Sequence, residues 1–240
     1  TESVSAHCPC GVLSFSQCSL SLVYISSLQQ ICKHSFISNS SMIIGLTGGI
    51  GSGKSTIAQG LRQMGYAVYD TDSEAKRLIV EDENVRTQMV QLFGNEVYAN
   101  GVYQTALVAQ RVFTDRSLLA QLNAIVHPAV RADILRWATM QDSPSFRKGL
   151  GVGLCFVECA ILYQAGFDAL CDKVVAVTAP EEVRLARVLA RDHSTIDKVR
   201  ARMRAQEAER DIERADIVIN NDGKASIPTL CEEIIHLLNK

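Results

Sequence analysis

The sequence predicts an α/β fold, a parallel β-sheet flanked by helices. Three observations carry this. Apolar runs at 42–46, 150–158 and 173–178 read as strands, the last two near-continuously apolar as buried parallel strands are. Segments with helical spacing of apolar residues lie between the runs. Between the first run and the first helix stands Gly48-x-x-x-x-Gly53-Lys54-Ser55, a complete phosphate-loop pattern.

That pattern has a chemical reading residue by residue. Glycines at 48, 49, 51 and 53 permit positive φ and let the backbone approach a ligand closely. The loop N–H groups then converge on anionic oxygens, and the helix that follows adds its positive end. Gly49, Ile50, Gly51, Ser52, Gly53, Lys54, Ser55 and Thr56 are the candidate ATP-phosphate contacts. Lys54 supplies a mobile charge for the β and γ phosphates, and Ser55 a hydroxyl for Mg²⁺. The placement between an apolar strand and a helix favours this over a plain glycine turn. The loop alone does not separate kinases from GTPases or ATPases.

Composition narrows the class. The chain has 240 residues, 47% of them hydrophobic, enough for one sizeable domain or one domain with an insert. A net charge of −2 gives no global field for nucleic acid or membrane. No apolar run reaches the length of a spanning helix. Of eight cysteines, Cys8, Cys10, Cys18 and Cys32 precede Met42. Cys155, Cys159, Cys171 and Cys231 sit among apolar residues and read as small buried hydrophobes. Neither group has zinc spacing, and a nucleotide enzyme with free thiols fits a reducing cytoplasm.

Residues 1–41 are rich in Ser and Cys and carry one acid and one base, Glu2 and Lys33. They are expected to be a non-native or disordered extension, with Met42 as the natural start of a domain over 42–240. The first helix is expected over 54–64, ended by Gly65. A second strand at 66–69 delivers Asp70-Thr71-Asp72 at a strand end, where α/β proteins place ligands. Asp72 is either a base or magnesium-water partner, or simply the cap of a helix over 73–80.

Residues 83–141 read as a helical insert. Asn100-Gly101 marks a turn, and His127-Pro128 is expected to break the chain between two helices. Such an insert would make a lid or an acceptor-binding subdomain, with Arg111, His127 and Arg131 as candidate contacts. Each residue type is also common as a surface or capping group. A polar loop over 141–149 leads to the strand ending in Glu158, a carboxylate placed to bind magnesium through water or to touch the acceptor.

Helices over 181–190 and 194–205, the second opened by a capping-box-like Ser194 and Asp197, flank Arg191-Asp192-His193. This arginine-rich hairpin suits a lid over about 181–206 that offsets phosphoryl charge, with Arg187 and Arg191 as the candidates. Other arginines there read as a solvated face beside Glu181, Glu182, Glu207 and Glu209. A last strand at 217–220, a turn at 221–223 and an amphipathic helix at 227–238 close the chain.

Several stretches, in order, resemble the dephospho-coenzyme A kinases, the last enzymes of coenzyme A synthesis. They are Gly45-Leu46-Thr47-Gly48-Gly49-Ile50-Gly51-Ser52-Gly53-Lys54-Ser55, Asp70-Thr71-Asp72, Arg111-Val112-Phe113, Ile125-Val126-His127-Pro128, Phe156-Val157-Glu158, Arg191-Asp192, Arg202-Met203-Arg204-Ala205-Gln206, and Ala215-Asp216 through Asp222-Gly223. The resemblance implies a P-loop NTPase-type kinase with core, acceptor-binding and lid parts. It implies transfer of the γ-phosphoryl of ATP to the ribose 3′-hydroxyl of dephospho-CoA. By position Asp72 matches the family's catalytic carboxylate, and Arg187 and Arg191 match its lid. Family members often have a proline and two leucines before the strand-end acid. Here Gly153-Leu154-Cys155-Phe156-Val157 stands instead, which touches the role of Glu158 and not the fold.

The expected substrates are ATP and dephospho-CoA, with Mg²⁺ as cofactor, in a cytoplasmic monomer or weak homo-oligomer that binds neither nucleic acid nor membrane. The alternative is another small-molecule or nucleotide kinase on the same scaffold. A GTPase-like switch expects Asn-Lys-x-Asp, and Asn220-Asn221-Asp222-Gly223 lacks the lysine.

Overall fold

The computed structural model describes residues 41–141, 153–192, 194–206 and 212–240. The expectations for residues 1–40, for the polar loop after Gln141, for a strand start at Leu150, and for His193, Glu207 and Glu209 lie outside the described residues.

Five strands form one parallel sheet. They are β1 (Met42–Gly48), β2 (Ala67–Asp70), β3 (Leu154–Glu158), β4 (Lys173–Thr178) and β5 (Ile217–Asn220), in the order β2-β3-β1-β4-β5. Alternation of side chains explains why the central runs are apolar throughout. Ile44 and Leu46 of β1, Leu154 and Phe156 of β3, and Val175 and Val177 of β4 enter one core. Val157 and Val174 enter the core on the opposite face, with Ile43 packed against it.

The first face is covered by α1 (Lys54–Gln63) and α8 (Ile227–Leu238), through Ile57, Leu61, Leu230 and Ile234. Gly60 of α1 is where they approach, since a Cβ there meets Cys231 Sγ and Ile227 Cγ2 at 2.8 Å. The other face is covered by α2 (Thr71–Glu81), α3 (Glu83–Phe93) and α5 (Arg116–Gln141). Between α3 and α5 come a 3₁₀ segment (Asn95–Gly101) and α4 (Thr105–Thr114). Asn100 and Gly101 both take positive φ, 53° and 76°, as the turn requires. Helices α6 (Glu181–Asp192) and α7 (Ile196–Ala205) make a hairpin with its own small core of Val188, Val199 and Met203. Ile50 from the phosphate loop packs against that core.

Three local expectations are corrected. Pro128 does not break the chain, and α5 runs through it. The proline deletes one helical donor, but Val126, Val130, Ile134 and Ala138 form one buried stripe across it. The two valines and Ile134 each stabilise by about 1.5–3 kcal/mol when fully buried, enough to outweigh the lost bond. The capping box at Ser194 is out of register: Thr195 is the cap of α7 and makes no side-chain cap bond. Finally, α2 starts at Thr71 and is capped by Asp70, not Asp72.

No described helix is long and apolar enough to cross a membrane.

Candidate active site

Register places the strand ends level with one another. Asp70 of β2 pairs with Glu158 of β3, which pairs with Leu46 of β1. Thr47 and Gly48 complete β1 just beyond, where the phosphate loop begins. At this edge lies a cavity of about 450 Å³, lined by phosphate-loop residues between Gly48 and Thr56 and by Asp72, Ala160, Arg187, Val188 and Arg191.

The loop's shape depends on its glycines at two positions. Gly51 and Gly53 take φ of 80° and 89°. A Cβ at Gly51 would lie 2.5 Å from the Arg184 carbonyl oxygen, and one at Gly53 would lie 2.2 Å from Asn221 Nδ2. Gly53 is also the N-cap of α1 and brings no side chain to it, and the first turn holds no acid. The positive end of α1 therefore faces the cavity uncompensated, as an anion site requires.

Lys54 Nζ and Ser55 Oγ both donate to Glu158 Oε1, each at 2.6 Å. Glu158 is 5% exposed, and Arg62 Nη2 lies 4.0 Å from its other oxygen. The strand-end acid thus holds the lysine and hydroxyl of the phosphate loop.

The Asp70-Thr71-Asp72 turn divides its work. Asp70 accepts from the N–H groups of Asp72 and Ser73 and from Ser73 Oγ. Burial alone raises its carboxyl, but the Ser73 and Asp72 bonds and the Lys54 charge outweigh it and hold the group below the usual range. Thr71 Oγ1 donates to the Glu158 carbonyl at 2.9 Å, tying α2 to the end of β3. Asp70 does the capping, so the Asp72 side chain is left for the cavity.

Arg187 lines the cavity and grips the loop. Its Nη1 donates to the carbonyls of Asn221 (3.0 Å) and Ser52 (3.3 Å), and its Nη2 to Asn221 Oδ1 (3.3 Å). Asn221 Nδ2 donates to the same Ser52 carbonyl at 2.9 Å. At the loop tip, Arg184 Nε donates to the Ile50 carbonyl, and Ile50 N–H donates to Gln206 Oε1 at 2.7 Å. Gln206 Nε2 donates to the carbonyl of Ala160, which lines the cavity. Arg191 is paired with Asp192, which also takes Arg202.

The insert candidates Arg111, His127 and Arg131 do not line this cavity. Arg111 donates to the Phe93 carbonyl and to Glu96, joining α4 to the end of α3. His127 meets the Phe167 ring edge-on, and burial pushes its imidazole below the ordinary value. Arg131 donates to the Gly166 carbonyl. Conversely, Asn221, Arg184 and Gln206 carry loop contacts that sequence reading did not assign. A polar residue directly after an apolar strand at the ligand edge was the available signal for Asn221.

The donor set suits nucleotide phosphates: Lys54, the end of α1, and two arginines. It suits Mg²⁺ less completely. Among the described residues no group of three His, Cys, Asp or Glu is placed to hold a metal. A magnesium ion would have to take much of its coordination from phosphate oxygens, as is usual for this ion, and Ser55, Glu158 and Asp72 are the hard oxygens the protein could offer it.

Comparison with known proteins agrees with this geometry. The dephospho-CoA kinase family model matches residues 42–226. A dephospho-CoA kinase of Porphyromonas gingivalis is 41% identical over 172 residues, 72% of this chain and 81% of that protein. A solved structure from Thermus thermophilus is 34% identical with a TM-score of 0.68, covering 84% of this chain and 98% of that one. The dephospho-CoA kinase of Campylobacter jejuni, 22% identical, shares the fold with a TM-score of 0.60 over 82% of this chain and 96% of its own. The chain belongs to the dephospho-CoA kinase family.

Proposed function

We propose that this chain transfers the γ-phosphoryl of ATP to the ribose 3′-hydroxyl of dephospho-CoA, giving coenzyme A and ADP. The observation that carries the chemistry is the placement of Asp72 in the same cavity as the phosphate loop, with Asp70 doing the capping. Residues 42–240 form the kinase domain, the insert over about 83–141 holds the acceptor, and the hairpin over about 181–206 is the lid.

The phosphates of ATP lie in the loop from Gly49 to Thr56. Asp72 orients the 3′-hydroxyl and accepts its proton as the new O–P bond forms. The bond from the γ-phosphorus to the β–γ bridging oxygen breaks, and that oxygen leaves with ADP. Lys54 and Arg191 offset charge on the transferring oxygens, and Arg187 keeps the loop in shape while facing them. Ser55 would help hold Mg²⁺, which would supply neutralising charge for the phosphates. Glu158 holds Lys54 and Ser55 in place until phosphate oxygens take over. The small net charge and the thiols of Cys159, Cys171 and Cys231, none of them in a disulfide, support a cytoplasmic enzyme.

The test is ADP release with Mg-ATP, with and without dephospho-CoA, and mass detection of the product. ADP release that depends on dephospho-CoA and yields coenzyme A is expected. Inert dephospho-CoA with turnover on another acceptor overturns the assignment.

A further inference from the structure

One carboxylate outside the cavity is more heavily engaged than its location demands. Asp133, on α5 of the insert, has a side chain only 14% exposed. Its Oδ2 accepts from the Tyr69 hydroxyl at 2.7 Å and from Arg77 Nη2 at 2.8 Å. Its Oδ1 accepts from Arg136 at 2.9 Å. Burial opposes the charge, but these donors prevail and hold the carboxyl below its usual range.

The two donors on Oδ2 come from opposite sides of the active-site turn. Tyr69 is the β2 residue immediately before Asp70, and Arg77 lies on α2 after Asp72. One oxygen of the insert therefore grips both arms of the turn that presents Asp72. Trp137, one helical turn beyond Asp133, packs on the Tyr69 ring at 5.3 Å. On its other side the turn is held to β3 by the bond from Thr71 to the Glu158 carbonyl. The turn thus hangs between the phosphate-loop cluster and the insert.

We infer that Asp133, with Tyr69 and Arg77, is a positioning residue that locks the acceptor-binding insert to the Asp72 turn, so that the insert sets where Asp72 stands relative to the phosphate loop. Asp133 touches neither substrate and acts through Asp72. This rests on the reading of Asp72 as the base. The size of the effect follows from geometry, since a shift of about 1 Å in a reacting group costs about 10²-fold in rate.

The experiment is a double-mutant cycle on the full chain. Asp133→Ala and Tyr69→Phe are each made alone and with Asp72→Asn, and kcat, both KM values and ADP affinity are measured. Asp133→Ala is expected to lower kcat about tenfold or more, and Tyr69→Phe by a smaller factor, with ADP affinity unchanged within about twofold. In the Asp72→Asn background the same changes are expected to add almost nothing to the loss. Full additivity in that background, or folded variants with normal kcat and only a lowered Tm, overturns the inference. Should Asp133→Ala fail to fold, Tyr69→Phe, which removes a single oxygen, decides the matter. Normal kcat in Asp72→Asn alone instead sinks the base assignment, which separates the two failures.

Discussion

Glu158→Gln tests the buried pair directly. One carboxylate oxygen takes Lys54 Nζ and Ser55 Oγ, both at 2.6 Å, with side chains 6% and 12% exposed for Glu158 and Lys54. Deleting one partner of a buried ion pair costs about 3–5 kcal/mol. Glutamine keeps the shape and a neutral acceptor, so the loss falls to about 1.5–3 kcal/mol, the range for a hydrogen bond to a charged group. For a domain of this size that lowers Tm by about 3–12 °C. The phosphates of ADP offer Lys54 a replacement partner, and ligand binding stabilises by mass action. ADP is therefore expected to raise the Tm of the variant more than that of the wild type. The assay is thermal unfolding by circular dichroism, with and without saturating ADP. A variant Tm within about 2 °C of wild type without nucleotide refutes the reasoning, as does an equal ADP shift in both proteins.

Further predictions follow from other contacts. Arg187→Lys cannot hold the Asn221 and Ser52 carbonyls together, so ADP affinity should fall about tenfold. Isothermal titration checks this, and an unchanged Kd removes Arg187 from loop support. His127 has a folded pKa below its ordinary 6.5, so the unfolded chain binds a proton more readily. Its contribution is present above that value and lost as pH falls below it. The decline in Tm from about pH 7.5 to 5.5 should be shallower in His127→Asn, and parallel curves would contradict this. Burial and the charges of Asp168 and Asp172 push the Cys171 thiol up to about 12. The native protein should leave Cys171 unalkylated by iodoacetamide at pH 8, as read by peptide mass mapping.

What was legible in the sequence was local. The phosphate loop is one contiguous pattern, and β4 and β5 are bounded by Pro180 and by the Asn221-Asp222-Gly223 turn. What was not legible depends on distance along the chain. The Lys54–Glu158 and Asn221–Ser52 bonds join residues 104 and 169 positions apart. Periodicity carries no information about such pairs. Asp70 and Asp72 are both acids at one strand end, and only the start of α2 at Thr71 decides which one caps it. Pro128 misled for the opposite reason: a strong local breaker was overridden by a buried stripe formed with distant partners.

The most direct measurement of the central claim is single-turnover phosphoryl transfer in Asp72→Asn, with ADP affinity measured on the same preparation. The account predicts a drop of about 10²–10⁴-fold in the chemical step, as for loss of a general base, with ADP binding retained. A near-normal single-turnover rate would show that Asp72 neither orients nor deprotonates the acceptor.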